Sequence, residues 1–257
     1  MDLQLKGKRA LVTGSSKGIG RGAATLLAEE GCDVLLASRD AEGLAAVARD
    51  IRAKTGREAL WKAADLAQRG AAEALTDWAG DLDVLVNNAG AIPGGDLFTV
   101  DEDTWRRTWD LKVFGYINLA RAVYARMKRR KQGVIINVLG NFGERVNAAS
   151  IAVSSANAGL MGFTRALGGA SHVDGIRVVG VSPGPVATDR LFNVYRQMAA
   201  AKLGDANRYG ELFGTLPFGR PGSVEEIAAA VAFLASPRSG YTTGVIVTID
   251  GGIVSAS

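Results

Sequence analysis

The sequence predicts a single α/β domain in which a parallel sheet carries helices on both faces. Two observations support this prediction. Strand-like and helix-like patterns alternate along the chain, and a glycine-rich turn joins the first strand to the first helix. Such alternation is typical of doubly wound sheets. No repeat, linker or low-complexity tract divides the chain, so residues 1–257 are interpreted as one domain.

The first strand and the turn after it predict a dinucleotide site. The strand, Ala10–Val12, is followed by Gly14, Gly18 and Gly20, and a helix is expected over residues 19–30. Gly14 permits a sharp turn, Gly18 lets the backbone approach a pyrophosphate, and Gly20 permits close helix packing. The N–H groups at the start of the helix then face the phosphates. An ordinary glycine-rich turn is the alternative.

The other elements follow from short apolar runs and helical patterns. Further strands are predicted at Asp33–Ala37, Ala59–Lys62, Val84–Asn87, Val134–Val138, Arg177–Val181 and Val245–Ile249. Helices are predicted over residues 41–54, 68–78, 104–129, 150–167 and 223–234. The segment 188–218 interrupts the alternation. We interpret it as an insertion that covers a ligand crevice, with a surface helical pair without function as the alternative.

Composition limits the classes of partner. The net charge is +4 among 257 residues, which by itself does not indicate a nucleic-acid partner. The single Cys32 excludes an internal disulfide and suits a reducing compartment. No apolar run is long enough for a membrane helix, and the first residues lack a secretory pattern. We therefore expect a cytoplasmic protein without a nucleic-acid partner, a membrane partner or a metal site.

Several motifs occur in a characteristic order: Thr13–Gly20, Asp65-Leu66, Asn87–Gly90, Ser182–Thr188 and Asp250–Gly252. In these motifs the chain resembles the short-chain dehydrogenase/reductase family over nearly its full length. The resemblance implies a seven-stranded, doubly wound sheet of the Rossmann type. It also implies binding of NAD(H) or NADP(H) and assembly into a homodimer or homotetramer.

The resemblance assigns cofactor contacts residue by residue. It places Asp65 at the adenine amine with Leu66 beside the ring, and Pro183, Gly184 and Thr188 at the nicotinamide. The candidate cofactor-binding residues are Gly14, Ser16, Lys17, Gly18, Ile19, Ser38, Arg39, Asp65, Leu66, Asn88, Ala89, Gly90, Asn157, Pro183, Gly184, Val186 and Thr188.

The end of the second strand favours NADP(H) over NAD(H). A carboxylate at this position binds the ribose 2′-hydroxyl, whereas a basic residue accepts a 2′-phosphate. Arg39 offers a planar set of donors suited to phosphate, and Ser38 and Lys17 add a hydroxyl and a second cation. Asp40 argues for NAD(H), although it comes one residue late and is placed to cap the next helix.

The catalytic tetrad of the resembled family, Asn-Ser-Tyr-Lys, has no match in this chain. The corresponding positions hold Lys112, Gly140, Val153 and Asn157. Valine has no proton to give, and glycine has no side chain to orient a carbonyl. We therefore predict that the ordinary carbonyl reductase activity of that family is absent.

The cation and the amide of the tetrad look exchanged, which makes Lys112 and Asn157 the candidate catalytic residues. A desolvated lysine can act as a base, and an amide can bind ribose hydroxyls. A lysine side chain extended into solvent is the alternative for Lys112. Three functions remain open: an NADP(H)-dependent oxidoreductase with a rebuilt proton relay, a cofactor-binding sensor or partner subunit without turnover, and a lyase or isomerase.

Overall fold

The computed structural model describes residues 1–90 and 92–256, in which seven strands form one parallel sheet. The strands are β1 (Arg9–Thr13), β2 (Asp33–Ser38), β3 (Leu60–Ala63), β4 (Val84–Asn87), β5 (Gly133–Val138), β6 (Ile176–Pro183) and β7 (Ile246–Ile249). Their order in the sheet is β3-β2-β1-β4-β5-β6-β7. The predicted doubly wound fold is confirmed. The order reverses between β1 and β4, and in doubly wound sheets the ligand crevice is expected at this point, at the carboxyl ends of the strands.

Helices cover both faces of this sheet. They are α1 (Gly18–Glu29), α2 (Ala41–Thr55), α3 (Ala71–Ala79), α4 (Glu102–Trp109), α5 (Gly115–Arg130), α6 (Ile151–Ala170), α7 (Asp189–Leu203) and α8 (Val224–Ala235). Successive strand residues point to opposite faces, so Val12 packs with Leu27 of α1 in one core while Leu11 packs with Leu75 of α3 in another. Burial of each such side chain contributes about 1.5–3 kcal/mol.

The long helix predicted over residues 104–129 contains a π-helical turn. Asp110–Phe114 form this turn between α4 and α5, and Lys112 and Val113 within it are buried. A π turn holds an extra residue per turn and changes which side chains face inward, and such turns are frequent at functional sites. The turn therefore directs Lys112 into the protein.

Cap residues set the starts of two helices. The third helix was expected from residue 68 but begins at Ala71, because Gly70 has a φ of 80° and stands as its N-cap. Helix α8 begins with a capping box, in which Ser223 and Glu226 form reciprocal hydrogen bonds. A rigid boundary of this kind fixes where α8 enters the core.

Segment 188–218 folds as α7 followed by 3-10 turns at Ala206–Thr215 and Pro217–Gly219. An aromatic cluster joins α7 to these turns, and the ring centroids of Tyr195 and Phe213 lie 5.1 Å apart. The segment begins at Thr188, which lies next to the glycine-rich turn. Its role as a cover stays a prediction.

In the described part of the chain, no helix combines the length and hydropathy needed to cross a bilayer. The same residues contain no cluster of three or more His, Cys, Asp or Glu side chains that could hold a metal ion. Assembly into a homodimer or homotetramer stays a prediction.

Candidate functional site

The glycine-rich turn lies at the carboxyl end of β1 and is anchored to β2. Gly14 has a φ of 66°, and its N–H donates to the carbonyl oxygen of Ala37 at 2.7 Å. The buried hydroxyl of Ser15 accepts a hydrogen bond from the N–H of Ala37 at 3.0 Å. Gly18 also has a positive φ, of 55°. These left-handed conformations favour glycine, so the motif spacing reflects the backbone path.

Gly20 permits the close approach that the sequence predicted. A Cβ atom at this position would overlap the carbonyl oxygen of Gly14 and would lie 2.5 Å from Nδ2 of Asn88. Helix α1 thus starts in direct contact with the turn. No side chain larger than hydrogen fits at this position.

The end of β4 is bonded to the same turn. The hydroxyl of Thr13 accepts hydrogen bonds from the N–H of Asn88 at 2.9 Å and of Ala89 at 3.1 Å. The side-chain amide of Asn88 donates to the carbonyl oxygen of Thr13 at 3.0 Å and of Gly14 at 3.3 Å. Asn88 therefore holds the shape of the turn, and its predicted contact with the cofactor stays a prediction.

The start of α1 has the features of a phosphate site. The N-cap residue is Lys17, and no side chain accepts a hydrogen bond from the first turn. Lys17 is exposed, Ser16 is half-buried, and Ile19 packs against the core. The N–H groups at a helix start are free to bind an anion, and the glycines leave room for its approach. These residues fit the pyrophosphate of a dinucleotide.

The residues predicted to contact the adenosine side of the cofactor lie at the end of β2. Asp40 accepts a hydrogen bond from the N–H of Gly43 at 2.9 Å and so caps α2, as expected from its position. The hydroxyl of Ser38 is bonded to the backbone of Asp40, accepting from its N–H at 3.1 Å. Arg39 is exposed, and the described residues offer it no ion pair within 4 Å. The carboxylate of Asp40 is therefore engaged in capping α2, whereas the guanidinium of Arg39 is accessible to solvent.

Asp65 and Leu66 follow β3 on the same side. Oδ1 of Asp65 accepts a hydrogen bond from the N–H of Ala67 at 3.1 Å, which bends the loop after the strand. Leu66 is buried, with 6% of its surface exposed. The arrangement leaves Asp65 half-buried at the edge of the crevice, where the predicted adenine contact remains to be tested.

The loop after β6 forms the opposite wall. At Gly184 a Cβ would lie 2.7 Å from the Cβ of Asp250. The close packing of the two segments therefore requires a glycine at this position. Val186 is buried, and the hydroxyl of Thr188 caps α7 by accepting from the N–H of Leu191 at 3.4 Å. The methyl of Thr188 lies 3.4 Å from the position of a Cβ on Gly18, so the two walls meet.

Lys112 is buried, with 8% of its surface exposed. The alternative interpretation, in which its side chain extends into solvent, is therefore wrong. Its Nζ donates to the hydroxyl of Tyr116 at 2.9 Å and to the carbonyl oxygen of Val138 at 2.8 Å. Its stem packs against Gly90, where a Cβ would lie 2.5 Å from Cδ of the lysine. Burial, together with a smaller effect of the Arg190 charge, lowers the pKa of Lys112 to about 7.

The three other residues that the resemblance places at the tetrad positions are Gly140, Val153 and Asn157. Asn157 is buried with an Oδ1 that has no hydrogen-bond partner among the described residues, and a Cβ on Gly140 would lie 3.0 Å from its Nδ2. Val153 packs against the apolar cluster that contains Tyr116. Gly140 comes two residues after Val138, so Asn157 and Lys112 both approach the end of β5. An unpartnered buried oxygen fits a ligand hydroxyl.

Sequence reasoning did not identify Tyr116 and Arg190. Tyr116 is fully buried and donates its hydroxyl hydrogen to the carbonyl oxygen of Val138 at 2.9 Å. Burial raises the pKa of Tyr116 well above its usual value. The signals available were the i, i+4 spacing of Lys112 and Tyr116, and a cation in the first turn of a helix at Arg190.

A second cavity lies at the opposite end of the sheet. Its volume is about 690 Å³, and it is lined by the strand starts Val84, Gly133 and Ile176. Ligands of doubly wound sheets bind at the carboxyl ends of the strands, where the glycine-rich turn, the phosphate site and Lys112 are found. We therefore place the candidate site at the crevice.

Replacing Lys112 with methionine is expected to change how stability depends on pH. The lysine pKa falls from 10.5 to about 7 on folding, so the unfolded chain binds more protons between these values. The free energy of unfolding of the wild type should therefore rise relative to Lys112→Met by about 1.4 kcal/mol per pH unit across this window. Urea denaturation from pH 6 to 10 measures this difference. The exposed Lys202→Met variant is the control, and parallel profiles for Lys112→Met and wild type would contradict the expectation.

The sheet order and the glycine-rich turn at its switch point define a doubly wound protein of the Rossmann type. A family model for short chain dehydrogenases matches residues 8–199. The chain belongs to the short-chain dehydrogenase family of oxidoreductases.

Curated relatives match nearly the whole chain. The 3-oxoacyl-acyl-carrier-protein reductase FabG of Vibrio cholerae is 36% identical over 252 residues, covering 98% of this chain and 99% of that protein. The cis-4-hydroxycyclohexanecarboxylate dehydrogenase of Sinomonas cyclohexanicum is also 36% identical over 252 residues, covering 95% of each.

Solved structures agree with this assignment. The L-sorbose reductase of Gluconobacter frateurii, complexed with NADPH and L-sorbose, superposes with a TM-score of 0.94 at 30% identity and covers 100% of both chains. A 3-oxoacyl-acyl-carrier-protein reductase of Agrobacterium tumefaciens with NADP bound has a TM-score of 0.88 at 28% identity, covering 97% of this chain and 95% of that one.

Proposed function

We propose that the protein is an NADP(H)-dependent oxidoreductase that interconverts a carbonyl compound and an alcohol with a rebuilt proton relay. In this proposal Val153, Gly140 and Asn157 stand at the tyrosine, serine and lysine positions of the family tetrad. Lys112 stands at the asparagine position. The single observation that carries the proposal is the buried Lys112, whose Nζ is held at the end of β5 with a pKa of about 7.

The relay that we propose moves one proton through Lys112. NADP(H), when bound by these residues, would supply the hydride. In the reducing direction Nζ of Lys112 gives a proton to the substrate oxygen, and the neutral amine then regains a proton from solvent. A pKa near the working pH suits both halves of this cycle. Tyr116 and the carbonyl oxygen of Val138 position the amine through their hydrogen bonds at 2.9 and 2.8 Å.

Cofactor binding is assigned to the walls of the crevice. Gly14, Gly18 and the start of α1 are proposed to hold the pyrophosphate, and the unpartnered Oδ1 of Asn157 to accept a hydrogen bond from a ribose hydroxyl. Support comes from the left-handed glycines and from the NADPH and NADP named in the neighbouring structures. Segment 188–218 is proposed to cover the substrate side, since Thr188 lies against the glycine-rich turn.

The proposed preference for NADP(H) rests on Arg39. Arg39→Ala is expected to weaken NADPH binding by about tenfold or more, because it removes a charge-assisted contact with the 2′-phosphate. NADH binding should change by about twofold at most, since NADH lacks that group. Cofactor fluorescence titration measures both affinities, and Arg49→Ala on α2 is the matched control. Equal losses for the two cofactors would show that Arg39 does not read the phosphate.

A cofactor-binding protein without turnover is the second candidate. The observation that favours it is Val153, which packs into an apolar cluster where the family tetrad has its tyrosine. A screen of ketones and alcohols with NADPH separates the two candidates. Binding of NADPH without oxidation of it by any ketone would favour the sensor or partner subunit.

A further inference from the structure

Arg190 has no ion-pair partner among the described residues. It lies in the first turn of α7, where the helix dipole disfavours a cation. The side chain is exposed, and one Nη atom donates to the carbonyl oxygen of Ile92 at 2.6 Å. That bond is the only one that the described residues give it, and no carboxylate among them lies within 4 Å of its nitrogens.

Arg190 and Lys112 flank one loop of the crevice. Ile92, which Arg190 holds by its carbonyl oxygen, follows β4 closely, and Gly90 in the same loop packs against the stem of Lys112. The two charges are close enough that Arg190 lowers the pKa of Lys112. Like charges repel and no carboxylate among the described residues balances Arg190, so an anion bound beside it would stabilise its charge.

We infer that Arg190 binds the carboxylate of the substrate, so that the substrate class is a carbonyl compound or alcohol bearing a carboxylate. This inference rests on the proposed function, because it assigns the substrate of the same crevice. Arg190 has a planar set of five donors, of which one is engaged by Ile92, and the remaining edge matches the two oxygens of a carboxylate.

A phosphate of the cofactor is the competing occupant for Arg190, since Thr188, two residues earlier, lies next to the glycine-rich turn. The loop after β4 favours the substrate, because Arg190 is tied to Ile92 and thereby to the side of the crevice that holds Lys112. The two occupants make different predictions for cofactor affinity and for substrate charge.

The test uses 3-oxobutanoate and its methyl ester as probes, which differ in the carboxylate charge. Isothermal titration of the full-length protein, alone and with NADP⁺, measures their binding without any turnover. The wild type is expected to bind 3-oxobutanoate about tenfold or more tightly than the ester, and Arg190→Gln to remove this preference. Arg49→Gln, at an exposed arginine of α2 outside the crevice, should leave the preference intact, and NADPH affinity should stay within about twofold in both variants.

Equal binding of the two probes to the wild type, or a preference that survives Arg190→Gln, would overturn the inference. A loss of NADPH affinity in Arg190→Gln without a change in the probe preference would assign the residue to the cofactor. The proposed function fails separately, if NADPH does not bind or no carbonyl compound is reduced. Because the probes are titrated with and without cofactor, the charge preference is measured in either case.

Discussion

Lys112→Met is expected to lower the turnover of carbonyl substrates with NADPH by about 10²–10⁴-fold, the usual contribution of a general acid. Methionine fills a similar volume in the buried site but has no proton to give. The Kd for NADPH should stay within about twofold, because Nζ of Lys112 is bonded to Tyr116 and Val138 and not to the glycine-rich turn. Steady-state rates and fluorescence titration measure the two effects on the same protein.

The matched control is Lys54→Met, at an exposed lysine of α2. It should leave both quantities unchanged. Undiminished turnover in Lys112→Met, with the fold intact, would mean that another residue supplies the proton. Asn157→Ala is a useful companion, because the proposed ribose contact predicts weaker NADPH binding with a smaller effect on turnover.

Gly20→Ala is expected to lower NADPH affinity by about tenfold or more and the free energy of unfolding by about 2–3 kcal/mol. The added methyl would overlap the carbonyl oxygen of Gly14 and lie 2.5 Å from Nδ2 of Asn88. Backbone cannot yield as a flexible side chain does, so α1 must move away from the turn. Both the phosphate site and the packing of α1 on β1 depend on that contact.

Gly210→Ala is the control for this effect, because a Cβ there meets no atom within 4 Å. Urea denaturation and NADPH titration should both return wild-type values for it. A Gly20→Ala protein with wild-type stability and affinity would show that the turn tolerates a side chain, which would contradict the role given to this glycine.

The fold was predictable because the local signals agree with one another. Apolar runs such as Val84–Asn87 and Val134–Val138 are buried on both faces of a parallel sheet, so they read as continuous strands. The start of the third helix was missed because the left-handed Gly70 ends the preceding loop, and a glycine in sequence does not reveal its φ. Boundaries of that kind depend on the path of the chain.

The candidate site was predictable where a motif fixes the backbone. The glycine-rich turn has the geometry that its spacing predicts. A positive φ favours glycine at Gly14 and Gly18, and close contacts exclude a side chain at Gly20. Tyr116 and Arg190 belong to no motif, and their positions follow from tertiary packing. The π turn that buries Lys112 adds one residue to a helix. The amphipathic pattern of the helix does not predict this extra residue.

The pH dependence of ketone reduction tests the role of Lys112 most directly. Burial sets its pKa at about 7, so the protonated form is lost above that value. We predict that turnover in the reducing direction falls about tenfold per pH unit above pH 8, and that alcohol oxidation rises up to about pH 8 and is constant above it. A reduction rate that stays constant from about pH 6 to 9 and breaks only near the ordinary pKa of lysine or tyrosine would contradict a proton relay through Lys112.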